Sequence, residues 1–323
     1  MKLLFCLVAL AVPLACSADG YDIAVIPMGS THEFWKTVHA GALKAERELN
    51  AAGVPVKVIW KGPLREDDRD QQIQVLENFV GRQVNGIMLA PLDSRALVAP
   101  VEEAVSVHIP VVIFGSGLRS TAPISFVATD NREGGRIAAR RLGHLLGGAG
   151  NALMLRCQSG SASTEEREAG FLEVMQRDFP GIELLSTNQH AGATRDTARR
   201  AAENLLNRFG GEVNGIFTSN ESSSAAMLLA LRDAGLAGGK VKFVGFDAGD
   251  TLIAGLAAGD LQGLVVQDPF KMGYLGVKTV VAVLQGRPVA RVVKTDVVLV
   301  TPENRNDPVI AALLHPPRGA RLQ

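Results

Sequence analysis

The sequence predicts an α/β protein in which parallel sheets are covered by helices on both faces, arranged as two similar halves. Three observations carry that expectation. From Asp22 onward short apolar runs alternate with amphipathic stretches of helical length, the pattern of strands buried on both faces by crossover helices. The chain has 323 residues, beyond the roughly 250 to 300 at which a single core stops growing, so two domains are expected. The tetrapeptide VNGI precedes a run at Val84 and again at Val213, 129 residues later, and PVVIFG from Pro110 is echoed by VKFVGFD from Val241 at an offset of 131. Two matched offsets favour an internal repeat over one long sheet.

The first strand is IAVIPM from Ile23. WKTVHAGALKAERELNAAG follows, with apolar residues at spacings of three and four and Gly53 as its expected cap. VKVIW from Val56 is the second strand. The run REDDRD, Arg65 to Asp70, reads as the solvated start of a helix whose first turn favours acidic residues; RDQQIQVLENFVGRQ continues it, with Gly81 as the expected cap. The remaining strands are GIMLAP from Gly86, PVVIFG from Pro110, ISFVATD from Ile124, NALMLR from Asn151, IELLSTN from Ile182, GIFTSN from Gly215, KFVGFD from Lys242 and LVVQD from Leu264. Helices are expected to begin near TEEREAGF, ESSSAAM and AGDTLIAGL.

Thirty-three basic side chains balance 33 acidic ones, and 47% of residues are hydrophobic, which excludes a disordered tail or a basic nucleic-acid-binding surface. Cys6, Cys16 and Cys157 are too few and too poorly spaced for a disulfide framework or a thiolate zinc site. Cys157, after ALMLR, reads as a small core residue at a strand end. Residues 1–18 carry Lys2, the apolar run LLFCLVALAV and a small-residue stretch, the layout of a secretory signal peptide. Cleavage is expected after Ala18. The alternative, cleavage before Cys16 to leave a lipid anchor, meets Pro13 where an aliphatic residue is wanted.

Eight segments in order resemble a known family: IAVIPMGSTHEFWKTVHAGA, GIMLAPLDS, IPVVIFGS, FVATDNREGG, EEREAGF, TSNESSSAAM, VGFDAGD and VVQDPFKMG. Together they resemble the type I periplasmic sugar-binding proteins, relatives of the ribose- and galactose-binding proteins and of the lac repressor ligand domain. The resemblance implies two three-layer α/β/α domains joined by three crossovers that close on ligand as a hinge. Carried over, the first lobe is Asp22 to Thr129 plus Asp268 to Lys294. The second is Asp130 to Gln267 plus residues 295–310, with 311–323 as a tail.

In such sheets the ligand lies beyond the carboxyl ends of the strands. The resemblance assigns His32 as a polar contact and Phe34 and Trp35 as aromatic plates for the apolar face of a sugar, although Phe34 and Trp35 could instead pack the start of a helix. Arg167 matches a sugar-contacting arginine whose planar fork holds two oxygens, against a solvated pair with Glu165, Glu166 or Glu168. Asn220, Asp247 and Gln267 each follow a buried strand, where a ligand hydroxyl would satisfy them; Asn220 and Asp247 could also be helix caps. Asp130 and Asn131 match a hinge motif, and Asp93 reads as a loop or cap residue with a rim contact as its alternative. The family's Asp-Arg pair after the fourth strand is replaced by Gly115 and Ser116, which leaves Ser116 as the polar candidate there. Ala193 stands where a second-lobe aromatic is expected, with His190 or Gln189 as its substitute.

The expected function is capture of a small polyhydroxylated ligand in the periplasm and its delivery to the permease of an ABC importer. The alternative is a sensory receptor of the same fold feeding a histidine kinase or chemoreceptor. A monomer is expected, with no cofactor, metal or nucleic acid, and with membrane contact only through its partner or a lipid on Cys16. The sequence lacks GxSxG, HExxH and Walker patterns, and Ser159 to Ser163 with His190 is the sole nucleophile–base candidate, so no enzymatic activity is expected. A signal peptide where the repressors carry a helix-turn-helix excludes a transcriptional regulator.

Overall fold

The computed structural model describes residues 20–316; the expected signal peptide, Cys6 and Cys16 lie outside them. The chain runs β1 (Tyr21–Ile26), α1 (Glu33–Ala51), β2 (Val56–Trp60), α2 (Arg69–Gly81), β3 (Gly86–Leu89), α3 (Val98–Ser106), β4 (Val111–Phe114) and β5 (Ser125–Thr129). It continues through α4 (Asn131–Leu145), β6 (Gly150–Leu155), α5 (Ala162–Asp178), β7 (Ile182–Ser186), α6 (Arg195–Phe209), β8 (Gly215–Thr218) and α7 (Glu221–Asp233). Last come β9 (Lys242–Phe246), α8 (Asp250–Ala257), β10 (Gly263–Gln267), α9 (Pro269–Leu284), β11 (Val292–Thr295), β12 (Val297–Val300) and α10 (Pro308–Leu314).

The strands form two six-stranded sheets, in the orders β11-β5-β4-β3-β1-β2 and β12-β10-β9-β8-β6-β7. All pairings are parallel except β10 with β12. Each sheet has an apolar core on either face, as near-continuous apolar strands require. In the first sheet Val25, Met88 and Val112 pack under α1 and α9, while Ile26, Ile87 and Ile113 pack under α2 and α3. In the second, Met154, Phe217 and Val244 face α4 and α5, while Leu155, Ile216 and Phe243 face α6, α7 and α8.

Crossings between the sheets are short. β5 passes to α4 through Asp130, which accepts the N–H of Glu133 and caps the helix. β10 passes to α9 through Asp268, another cap, and β11 passes to β12 through Asp296 alone. The Thr129 and Thr295 hydroxyls meet at 3.2 Å between two of these crossings. Lys294 pairs with Asp130 at 2.9 Å, and Lys271 with Asp296 at 2.7 Å.

Three expectations change on contact with the coordinates. Gly53 does stop α1 in the left-handed region (φ 76°), but Gly81 is the last residue of α2, and Gln83 takes the left-handed turn there (φ 53°). The chain beyond residue 310 is not a tail throughout, because α10 buries Leu314 in the second-sheet core. And the REDDRD run is not wholly solvated, since Glu66 is only 8% exposed.

Candidate functional site

Loops that leave β1, β2, β4, β6, β8, β9 and β10 line one cavity of about 50 Å3 between the sheets. A single water needs roughly 10–15 Å3, so the chamber is compact. Its walls differ. From the first sheet come Trp35 and Phe34, in the first turn of α1. Trp35 is 5% exposed, and its ring meets Phe34 edge to face at 4.9 Å and Phe114 at 6.0 Å. Its Nε1 donates to Glu66 Oε1 at 2.5 Å, and His32 Nδ1 lies 2.8 Å from the same oxygen. Burial alone would lower the His32 pKa; the hydrogen bond and charge of Glu66, with the charge of Glu221, raise it above the usual imidazole value.

The second sheet supplies polar groups. Arg167 is buried in α5, with Nε donating to Asn131 Oδ1 at 2.9 Å and Nη1 to the Ser219 carbonyl at 3.0 Å. Its guanidinium lies 4.0 Å from the Phe246 ring centroid and 3.7 Å from Asp247 Oδ2. It is therefore not the solvated partner of its neighbours; Glu168 pairs instead with Arg156 at 2.7 Å. Asp247 has a left-handed backbone (φ 68°), one that Asp tolerates better than most residues, and accepts from Gln267 Nε2 at 2.6 Å. It does not cap α8, whose N-cap is Gly249. Burial raises its pKa against the attraction of Arg167.

Gln267 Oε1 is the one buried side-chain polar atom without a hydrogen-bond partner among the described residues. An orphaned buried acceptor is costly, and a hydroxyl donor placed in the chamber would satisfy it. Asn220 lines the same chamber and caps α7, accepting from the Ser223 N–H and Oγ. Asn131 holds Arg167 in place, and Asp93 accepts the N–H groups of Arg95 and Ala96 as a turn cap.

Seven of the eight sequence candidates, His32, Phe34, Trp35, Arg167, Asn220, Asp247 and Gln267, come together on this chamber. Ser116 does not line it. The Ser116 hydroxyl is fully buried and accepts the N–H of Ser163 at 3.2 Å, while Gly115 faces the chamber. No aromatic of the second sheet fills the gap at Ala193: His190 is exposed, 3.4 Å from Ser159 Oγ, and neither it nor Gln189 lines the chamber. Two residues were missed by sequence reasoning. Glu66 is hidden within a charged run, and no local signal sets it apart. Glu221 is the third residue after the end of β8, a position that could have flagged it. It is 5% exposed, accepts the N–H of Phe34 at 3.3 Å, and burial pushes its pKa up to about 7. Cys157 also lines the chamber, fully enclosed, and burial pushes its thiol pKa up, leaving it a poor nucleophile.

Among the described residues the sheets bond across the cleft at four places: Phe34 to Glu221, Gln158 to the Glu66 carbonyl, Ser94 to the Gly160 carbonyl, and Ser163 to Ser116. Two matched α/β/α units that enclose a small polar chamber with aromatic plates on one side define a ligand-trapping protein of the type I sugar-binding architecture. The chain belongs to the periplasmic binding protein family, whose domain model matches residues 23–288. It is 27% identical over 295 residues to the ribose import binding protein RbsB of Haemophilus influenzae, covering 91% of this chain and 96% of that protein. A carbohydrate transporter solute-binding protein from Agrobacterium radiobacter, solved in complex with D-arabinose, is 35% identical, with a TM-score of 0.86 over 92% of this chain and 100% of that one. An ABC transporter solute-binding protein from Agrobacterium vitis with bound D-fucose is 31% identical, with a TM-score of 0.86 over 91% and 99%. These relatives are sugar-binding transport proteins, not enzymes. No helix among the described residues is long and apolar enough to cross a membrane.

Proposed function

We propose that the protein captures a monosaccharide or polyol in the periplasm and delivers it to the permease of an ABC importer. The ligand ring lies against Trp35 of the first lobe while Arg167, Asn220, Asp247 and Gln267 of the second take its hydroxyls. The lobes are Asp22 to Thr129 with Asp268 to Lys294, and Asp130 to Gln267 with the strand and helix that follow residue 295. The observation that carries this reading is the unpartnered, buried Gln267 Oε1 beside the Arg167–Asp247 pair: a fixed set of donors and acceptors waiting for hydroxyls, opposite an aromatic plate.

A thermal-shift screen of the purified protein against D-arabinose, D-fucose, D-ribose, D-allose and xylitol tests it. A native-state ligand at a hundred times its Kd adds about 2.7 kcal/mol of stability. A shift with one of these compounds and no turnover of it supports the proposal; no shift with any of them overturns the sugar reading. Asp247→Ala is expected to weaken binding at least tenfold, about 1.4 kcal/mol, with the fold retained.

A further inference from the structure

A second cavity of about 230 Å3 adjoins the chamber and shares Phe34, Asp247 and Gln267 with it. The two lobes build it together. Ala40 and Leu43 of α1 form one wall, and Ile253 of α8 with Leu313 and Leu314 of α10 form the other. Lys36 and Arg47 also line this annex and are exposed side chains, and Lys36 is engaged with Glu33 at 2.8 Å. The annex is thus larger than the chamber, with two facing apolar walls and a polar rim that includes Glu33, Thr37, His39 and Asp250, and it borders the chamber at Phe34, Asp247 and Gln267.

We propose that the annex is a subsite for an apolar substituent, and that the protein accepts polyhydroxylated rings carrying an alkyl or aryl group, as in a glycoside. This rests on the ligand reading above and extends it. The chamber takes the ring: it is small, and its polar groups are fixed by Asn131, Ser219 and Gln267. A substituent on that ring leaves between Phe34 and the Asp247–Gln267 pair, and it meets carbon on both sides. The facing walls of Ala40, Leu43, Ile253, Leu313 and Leu314 are carbon, and an apolar group gains by leaving water against them. Because one wall belongs to each lobe, a substituent in the annex contacts both lobes and favours their closed arrangement, adding to the effect of the ring in the chamber.

The test is isothermal titration of the full protein with D-arabinose, D-ribose, D-fucose and D-allose, each as the free sugar and as its phenyl glycoside. The expected result is that at least one free sugar binds and its phenyl glycoside binds about tenfold tighter or better. Leu43→Trp, which fills the annex from α1, and Ile253→Trp, which fills it from the opposite wall, are each expected to abolish that advantage and leave the free sugar's affinity within about twofold. Retained binding of the free sugar also shows that each variant is folded. A phenyl glycoside that binds no tighter than its free sugar, or an advantage that survives both tryptophans, overturns the annex proposal and leaves the sugar reading intact. Failure of every free sugar and every glycoside to bind overturns the sugar reading itself, and the annex proposal with it.

Discussion

Asn85 and Asn214 perform one task in two halves of the molecule. Asn85 donates its main-chain N–H to the Asp22 carbonyl, and its Oδ1 accepts the Asp22 N–H at 2.7 Å, locking β3 to β1. Asn214 does the same to Asn151 at 2.8 Å, locking β8 to β6. The glycine that follows each one lies under a helix, Gly86 beneath Val280 of α9 and Gly215 beneath Leu142 of α4, where a Cβ would collide. The VNGI echo therefore marks a repeated structural joint, and the sheets around it share the same strand order. The cleft faces do not repeat. The first half offers Phe34, Trp35 and a His32–Glu66 pair; the second offers Arg167, Asn220, Glu221, Asp247 and Gln267. The scaffold is common to both halves while the strand-end loops have diverged, as expected where loops carry function on a rigid frame.

The sharpest way to break this comparison is to remove the second half's cation. Arg167→Met strands Asp247 as an unpaired buried carboxylate and releases Asn131 and the Ser219 carbonyl. The expected cost is about 3 kcal/mol in chemical denaturation, with at least a hundredfold loss of sugar affinity by titration calorimetry. Trp35→Ala in the first half is expected to lose about tenfold in affinity. Equal losses of affinity from both variants would mean that the division of labour is wrong.

A smaller effect should follow pH. The folded Glu221 pKa of about 7 stands above the ordinary carboxyl value of 4.5, so the folded protein binds more protons than the unfolded chain between those values. Stability conferred at low pH is accordingly lost as pH rises from about 4.5 to 7, by an amount of order 3 kcal/mol, and flattens above. Glu221→Gln is expected to remove most of that slope in urea melts run from pH 4 to 8. The His32 pKa is raised as well, so its stabilisation is complete below the unfolded imidazole value and is lost as pH rises through the folded one. That contribution belongs to the first half and should persist in the variant; an unchanged slope would remove Glu221 from the account.

The smallest expected effect tests the shared scaffold. Asn85→Ala and Asn214→Ala each lose one side-chain hydrogen bond, worth about 1 kcal/mol, and should match within about 0.5 kcal/mol with ligand affinity unchanged. A clear inequality would show that the two joints are not equivalent.

The ten central strands were legible because each is a short apolar run between turn residues, and burial on both faces demands that pattern. β11 and β12 were harder: Lys294 and Asp296 interrupt RVVKTDVVLV, and their charges are held by pairing at the crossings. Asn220, Asp247 and Gln267 were legible because the strand-end rule names their positions, and His32, Phe34, Trp35 and Arg167 because the family resemblance assigns them. Glu66 was not, because its neighbours Asp67, Asp68 and Asp70 have the polarity of a solvated turn, and its burial depends on Trp35 and His32 some thirty residues away. Ser116 was misplaced because sequence spacing does not say whether a strand-end side chain faces the chamber or the opposite loop; the Ser163 N–H claims its hydroxyl.

The passage from β11 to β12 through the single residue Asp296 has a mechanical consequence. Consecutive Cα atoms are about 3.8 Å apart, so this strap has no slack, and the crossings at Asp130 and Asp268 are equally short. Straps this short oppose sliding or separation of the sheets and leave rotation about this edge as the motion they permit. The ion pairs spanning the straps, Lys294–Asp130 and Lys271–Asp296, are largely exposed and worth about 1 kcal/mol or less, so they set little torque. The resting angle is then governed from the far side, by the four bonds across the cleft mouth and whatever molecule lies between them. A reporter pair placed opposite the straps would therefore read occupancy with the greatest displacement, and one placed beside them with almost none.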